Sequence, residues 1–478
     1  MTNAPNIVLI HADQYRFDCF SLRGHPHVQT PTLDRLARSG VDFTAAYSEC
    51  PICIPARHTA LTGLDPQATG VLGFAERARI ARPDTTLPAL LKRAGYQTAH
   101  VGRDWHQYPA HAHYGFETYD ADPFTEQYST FHDLFVPGQH GDKPNWPHFG
   151  THALGPNSSR ARPWSYPEEF HQTNFAVNKG VEFLQRRDRE RPFFLSLGTV
   201  APHPPLTPPA SYLERYLRQE LDPPAVGDWA ERPANEGLGL GPQSGRQILE
   251  GERLREAKAG YYGLISHLDD QLALFLARLK QRESNTYIIF LSDHGEMLGD
   301  HYLWRKSQPY EGSAHIPFFL SGPDIALGKE VDVPTGLQDL LPTCCDIAGV
   351  AVPEHITGRS VLGLARGNSP PDWRNWLHGE HAPVTDIHPG FHYLTDGASK
   401  YIWFIDGREQ LFNLKDDPRE LDDLSTSATN GEALNVWRER LIQRLAKRPE
   451  GFVSGGTLVP NVRYEKTNRG AVVDTANA

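Results

Sequence analysis

Apolar and polar positions along the chain fall into blocks that suit strands and helices by turns. Asn6 to Ala12, NIVLIHA, is a short apolar run rich in β-branched residues; it predicts a buried strand ending at Asp13-Gln14. Thr30 to Gly40 reads as a helix, with Thr30 as N-cap, Pro31 at the first helical position and Gly40 as the stop. Gly40 to Tyr47 is strand-like. Thr86 to Ala94 is expected to be a helix, Tyr96 to Gly102 a strand, Thr173 to Arg187 a helix and Pro192 to Leu197 a strand. A long amphipathic helix is expected over Arg253 to Lys280. The buried strand Thr286 to Ser292 follows it and ends at Asp293-His294, and Ile316 to Ser321 repeats the pattern. This alternation predicts an α/β fold: a large, mostly parallel sheet sandwiched by helices.

Two stretches break the rhythm. Asp104 to His171 is dense in His, Pro, Tyr and Trp, and Asp222 to Gly245 is dense in Pro and Gly. Both read as loop insertions that shape a site wall. Beyond Ser369 the pattern changes: His392 to Phe404 and Arg408 to Leu414 suit paired antiparallel strands, and Glu432 to Lys447 an amphipathic helix. The expected organisation is a catalytic part over 1–368, a smaller C-terminal α+β subdomain on an antiparallel sheet over 369–450, and a tail over 451–478. That tail is expected to be either frayed or an arm exchanged between subunits.

Of the 478 residues, 39% are apolar and 22% charged, enough for a large core. The net charge of −11 argues against a nucleic-acid-coating or polybasic membrane protein. No apolar run approaches the ~18–20 residues that cross a bilayer. The first residues lack the basic and apolar segments of a signal peptide, so the expectation is a cytoplasmic protein with no membrane partner and small imported substrates. Five cysteines (Cys19, Cys50, Cys53, Cys344, Cys345) are too few and too odd in number for a disulfide framework.

Chemistry concentrates at strand ends. Asp13-Gln14 and Asp293-His294 each follow a buried strand, and ligands of parallel α/β sheets gather beyond the carboxyl ends of strands. Each pair alone could be a helix cap or a turn. Together they make a divalent-metal site, whose oxygens favour Ca²⁺, Mg²⁺ or Mn²⁺ while the imidazole favours Mn²⁺ or Zn²⁺. In Cys50 to Gly63, a helix beginning near Pro55 and ending at Gly63 sets Cys53 at its N-terminus beside Arg57, where an anion is stabilised. No second C-x-x-C accompanies Cys50 and Cys53, which argues against structural zinc. Tyr261, Tyr262, Leu264, Ile265, Leu268, Leu272 and Phe275 have helical core spacing, Cys344-Cys345 reads as buried thiols, and Arg186 to Arg191 as a solvated helix end.

Cys53-Ile54-Pro55-Ala56-Arg57 with Thr62-Gly63 resembles the sulfatase signature C-x-P-x-R-x4-T-G. Further segments match in order: Asn6 to Gln14, Ala201 to Pro205, Ser292 to His301 with Lys306, Asp339 to Thr343, Gly358 to Ser360, and Leu411 to Pro418. The resemblance runs from about Asn6 to Leu424 and is to formylglycine-dependent sulfatases of the alkaline-phosphatase-like superfamily. It implies that Cys53 is oxidised to formylglycine by a formylglycine-generating enzyme. It further implies that Asp13, Gln14, Asp293 and His294 with residue 53 hold one divalent cation, Ca²⁺ first and Mn²⁺ second. Arg57 would then orient the hydrated aldehyde, while His203 and Lys306 bind sulfate and assist the leaving oxygen.

Two positions depart from the family pattern. Gly102-Arg103-Asp104-Trp105-His106 stands where G-K-x-H is common; Arg103 is taken as the substrate-binding cation, and the histidine role falls on His106 only if one residue is inserted, otherwise Trp105 holds that place. Gln14 stands where many relatives have Asp. The expected reaction is hydrolysis of a sulfate monoester of a sugar or aryl alcohol. The alternatives are a phosphonate monoester or phosphodiester hydrolase with the same machinery, and a catalytically silent binding protein. His301 is expected behind the metal, Glu311 on substrate or backbone, and association into homo-oligomers is left open.

Overall fold

The computed structural model describes residues 4–75, 77–109, 111–121, 154–155, 157–233, 245–281, 283–368, 370–383 and 389–464. Nine early strands are β1 (Asn6–Asp13), β2 (Val41–Phe43), β3 (Ala46–Tyr47), β4 (Gln97–Gly102), β5 (Thr118–Ala121), β6 (Phe193–Pro202), β7 (Thr286–Ser292), β8 (Phe318–Ser321) and β9 (Lys329–Val331). Eight of them form one sheet in the order β5-β4-β6-β1-β7-β8-β2-β9. Every pairing in it is parallel except those of β8 with β7 and β2. β3 instead pairs with β10 (Thr335–Gly336). The expected α/β architecture is therefore present.

Side-chain alternation along the two central strands decides where their chemistry points. Val8, Ile10 and Ala12 of β1, with Ile288 and Phe290 of β7, pack under the helices Pro31–Arg38, Gln172–Arg186, Ala210–Leu217 and Gly251–Lys280. Ile7 and Leu9, with Ile289 and Leu291, face the helices Cys53–Thr62, Leu87–Arg93 and Leu340–Ala348. Continuing the period of two carries Asp13 and Asp293 onto the second face, toward the Cys53 helix.

Several boundaries differ from the pattern reading. The signature helix begins at Cys53, two residues before Pro55; a proline in a first turn is tolerated because the N–H it lacks would have no helical acceptor. Gly40 follows the helix, but its φ is not left-handed; a Cβ there would stand 2.2 Å from Leu320 O, so close approach of β8 requires the glycine. The strand expected over Gly40 to Tyr47 is split into β2 and β3, and β6 runs on to Pro202. The Arg186–Arg191 run is not wholly solvated: the side chain of Arg187 is 7% exposed and pairs with Glu283 at 2.6 Å. Half of the first insertion and part of the second lie outside the described residues.

The C-terminal region holds an antiparallel sheet of β11 (Leu377–His381), β12 (Phe391–Thr395), β13 (Ser399–Phe404) and β14 (Glu409–Asn413), in that order. The apolar run His392 to Phe404 is thus two strands around a turn. Leu394, Tyr401, Trp403 and Leu411 pack on Trp437, Leu441 and Leu445 of the helix Gly431–Leu445. The tail is anchored through Tyr464, since Phe452 and Tyr464 join this cluster.

The opposite face of this sheet meets the main body through Tyr47, Met297, Tyr310, Tyr393, Ile402 and Phe412. Lys400 sits in that contact, fully buried. It bonds Glu311 and lies 3.3 Å from Glu420. Burial works against ionisation of Glu311, but Lys400 and His315 hold its carboxyl down to about 2; burial lifts Glu420 to about 7. Glu311 is therefore a structural anion of this contact. Lys400→Met strands both carboxylates, and urea unfolding is expected to show a loss of about 3–5 kcal/mol. A change below about 1 kcal/mol would mean that the network contributes no more than a surface pair.

Candidate active site

β1 and β7 are neighbours in parallel register, so their ends bring Asp13 and Asp293 together. The register slips at Ala12/Asp13, where Ala12 pairs with Thr199 of β6 and Asp13 with Pro202. Gln14 follows with φ 70°, donating its N–H to Asp293 Oδ1 at 3.1 Å. Asp293 Oδ1 also accepts from His294 N at 3.0 Å. Cys53, at the first turn of its helix, places Sγ 3.2 Å from His294 Nε2 and 3.7 Å from Asp13 Oδ1. Donor atoms of Asp13, Cys53, Asp293 and His294 all lie within 4.8 Å of one another, and all four residues are buried.

This donor set suits a divalent cation. Two carboxylates, a sulfur position and an imidazole converge where water is excluded. His294 Nδ1 faces Gly295 O at 3.0 Å, an obligate acceptor, so Nδ1 carries the hydrogen and Nε2 presents a lone pair to the cluster. Burial lowers the proton affinity of His294, yet Asp293 and Cys53 outweigh it and hold it above the ordinary value. The pocket thus attracts positive charge.

Arg57 spans the cluster from behind. Nε donates to Asp293 Oδ2 at 3.1 Å, Nη2 to Asp13 Oδ2 at 2.8 Å, and Nη1 to the Asp104 carbonyl. Arg103 adds a second fork: Nε to Asp13 Oδ2 at 2.8 Å, Nη1 to Asp104 Oδ1 at 2.6 Å, and Nη2 to His106 Nε2 at 3.0 Å. Burial alone would raise the Asp13 carboxyl, but the positive groups around it, His203 whenever it is protonated and Arg57, Arg103 and Lys306 throughout, hold it well below the usual range.

The other rim is built by the loop after β6 and the segment after β7. His203 N donates to Asp13 O at 3.1 Å, which ties that loop to β1. Its Nδ1 meets the Pro204 carbonyl, so Nε2 is the acceptor, and Nε2 faces Lys306 Nζ. Lys306 also donates to Gln14 Oε1 at 2.7 Å. Burial, then Lys306, keeps His203 well below the ordinary histidine value and hence neutral. Ser307 N donates to Pro51 O at 2.8 Å, fastening the Lys306 segment to the loop before Cys53.

Asp13, Gln14, Cys53, Arg57, Arg103, His106, His203, Asp293, His294 and Lys306 meet here, and of Trp105 and His106 it is His106 that lies against Arg103. Trp105 is buried with its ring 4.4 Å from His11 and its Nε1 on Ser196 Oγ at 3.2 Å. His106, at φ 51°, turns toward Arg103. His301 stands apart from the cation cluster: its Nδ1 accepts from Gly227 N at 3.1 Å and its ring packs on Trp229, so it anchors the second insertion. Cys344 and Cys345 are buried free thiols, as expected. Two contributors escaped the sequence reading. Asp104 bridges the two arginines, and Glu296 bonds Gln14 Nε2. Only their acidic character beside motif residues could have flagged them.

Comparison with known proteins agrees with this geometry. The sulfatase family profile matches residues 5–350, and one described as N-sulphoglucosamine sulphohydrolase, C-terminal, matches 299–447. An arylsulfatase of Clostridium perfringens is 36% identical over 477 residues, covering 95% of this chain and 97% of its own. A choline-sulfatase of Rhizobium meliloti is 28% identical over 440 residues, covering 89% of this chain and 83% of its own. The solved structure of the phosphonate monoester hydrolase of Agrobacterium radiobacter aligns with a TM-score of 0.77 at 25% identity, covering 93% of this chain and 96% of that one. Fold and site thus define a hydrolase of the alkaline-phosphatase-like superfamily. Within it the chain belongs to the sulfatase family, hydrolases of sulfuric esters.

Arg57 satisfies three buried acceptors that a lysine reaches only one or two at a time. Arg57→Lys is expected to destabilise the protein by about 2–3 kcal/mol in denaturant melts of the unmodified cysteine form. An unchanged midpoint would show that the fork is dispensable for stability.

Proposed function

We propose that the protein hydrolyses a sulfate monoester of a sugar or aryl alcohol, splitting the S–O ester bond with water to give the alcohol and inorganic sulfate. The observation that carries this reading is the position of Cys53 Sγ between Asp13 and His294, in one buried cluster with Asp293. Asp13, Asp293, His294 and residue 53, with the Gln14 amide oxygen beside them, would hold one divalent cation, Ca²⁺ in the first instance. Bound there, the cation and a formylglycine made from Cys53 would supply an acidified aldehyde hydrate as nucleophile.

The remaining steps belong to side chains already in place. Arg57, lying between Asp13 and Asp293, orients the nucleophile position and offsets its charge. Lys306, His203 and Arg103 bind the sulfate oxygens. Lys306 carries the proton nearest the leaving oxygen. His203, neutral with its Nε2 lone pair on Lys306, takes up or returns that proton as the ammonium shifts. His106 steadies Arg103. Loss of one such oxyanion donor lowers kcat by about 10²–10³-fold in comparable sites.

The likeness to the Agrobacterium enzyme favours one second reading, cleavage of a phosphonate monoester or phosphodiester by the same groups. Parallel assays with an aryl sulfate and an aryl phosphonate monoester decide between them; faster sulfate turnover is expected, and a strong phosphonate preference reverses the assignment. The peptide bearing Cys53, taken from active protein, is expected to have lost its sulfur and gained an aldehyde oxygen. A plain thiol in fully active enzyme defeats the formylglycine reading. Chelation followed by dialysis is expected to abolish turnover, with recovery on adding Ca²⁺ or Mn²⁺.

A further inference from the structure

We propose that Glu296 is a positioning residue for the oxyanion-binding cation Lys306, acting through the side-chain amide of Gln14. The inference rests on the reading of Lys306 as a sulfate ligand and goes beyond it, by assigning what sets that cation in place.

The main chain of Gln14 is held at both ends: its N–H on Asp293 Oδ1 at 3.1 Å, its carbonyl by Tyr261 Oη at 2.7 Å. Its side chain is fully buried between two partners of opposite charge. Nε2 donates to Glu296 Oε2, and Oε1 accepts from Lys306 Nζ at 2.7 Å. Glu296 is also buried, and its other oxygen accepts from Leu298 N at 2.8 Å and from Arg305 N. Every one of these partners of Glu296 is an N–H donor, so the carboxylate acts as acceptor on both oxygens.

An amide can turn over about its last bond with little change of shape. Here one orientation satisfies both partners. The other would set the Gln14 carbonyl against the Glu296 carboxylate and its NH₂ against the Lys306 ammonium, replacing two attractive contacts by two repulsive ones. Glu296 therefore selects the orientation in which Oε1 faces Lys306, and Lys306 Nζ rests between that oxygen and His203 Nε2.

The same geometry gives a reason for glutamine at position 14. A carboxylate there would pair with Lys306 and compete with a bound oxyanion for its charge. An amide dipole aims the ammonium while leaving its unit charge to the ligand.

A double-mutant cycle tests the assignment, read by calorimetric binding of inorganic sulfate to the full chain, with aryl sulfate KM alongside. Glu296→Gln keeps the shape and an acceptor for Leu298 and Arg305, yet no longer dictates the amide's orientation. It is expected to weaken sulfate binding about tenfold, as for coupled neighbours. In a Gln14→Met background, with both backgrounds read on chelator-treated protein so that the place of Gln14 beside the cation does not enter, the same change is expected to cost less than about twofold. Equal losses in both backgrounds would assign Glu296 to holding Leu298 and Arg305 instead, and no loss in the wild-type background would also overturn the proposal. Gln14→Glu is expected to weaken sulfate binding; unchanged or tighter binding removes the charge argument. Lys306→Met separates the two levels: sulfate binding that survives it rejects the oxyanion reading itself, whereas failure of the cycle alone rejects only the role of Glu296.

Discussion

The carboxylate of Asp13 has no exposed surface, and a buried charge persists only where partners replace the water it has lost. Arg57 and Arg103 both reach its Oδ2 at 2.8 Å, while Oδ1 faces Cys53 and His294. Each partner is itself buried and therefore needs further partners: Asp293 for Arg57, Asp104 for both arginines. One strand-end acid thereby dictates the side chains of three separate segments. A site assembled from such mutually dependent charges is rigid, because moving one group exposes the next to an uncompensated field.

The sheet makes this possible at little cost. β1 lies between β6 and β7, so three strand ends open into one crevice. Two of them deliver carboxylates on the same face through plain alternation, and the third, β6, runs straight into the loop that carries His203. The Cys53 helix then closes the crevice with its N-terminus, where the free N–H groups and the helix dipole favour negative charge. The C-terminal sheet clasps the segment after β7 from outside, since Met297, Leu303 and Tyr310 pack against Tyr393, Ile402 and Phe412. Lys306 lies within that clasped stretch.

Much of this was legible in the chain because it rests on local rules. A buried apolar run ending in an acid is readable as a strand end, and C-x-P-x-R as a helix start with a cation one turn on. What escaped depends on contacts between distant segments. Nothing near Asp104 in sequence announces Arg57, and the spacing Arg103-Asp104-Trp105-His106 does not say which ring turns inward; the backbone decides, with φ 51° at His106 and Trp105 packed on His11. LHGEH, the edge strand β11, reads as too polar for a buried strand. Its Glu380 is nonetheless buried because Arg448 forks onto it at 2.8 and 2.9 Å. Glu296 was visible only as one more acid beside a motif, since its meaning lies in an amide that is 282 residues away in the chain.

Charge bears finally on what such a crevice can take. Asp13, Asp293 and Asp104 bring three negative charges, and Arg57 and Arg103 answer two of them directly. Lys306, paired with the uncharged Gln14 and His203, and any divalent cation held by the cluster supply the positive charge that remains for a ligand. A sulfate monoester and a phosphonate monoester each present a single negative charge on a tetrahedral centre, so the Coulomb attraction treats them nearly alike. Discrimination has to come from what surrounds the leaving group and from how firmly the rim cation is aimed. The neutral clamp on Lys306 matters for that reason: a weakly charged ligand is held by direction more than by field strength, and direction is what an oriented amide supplies.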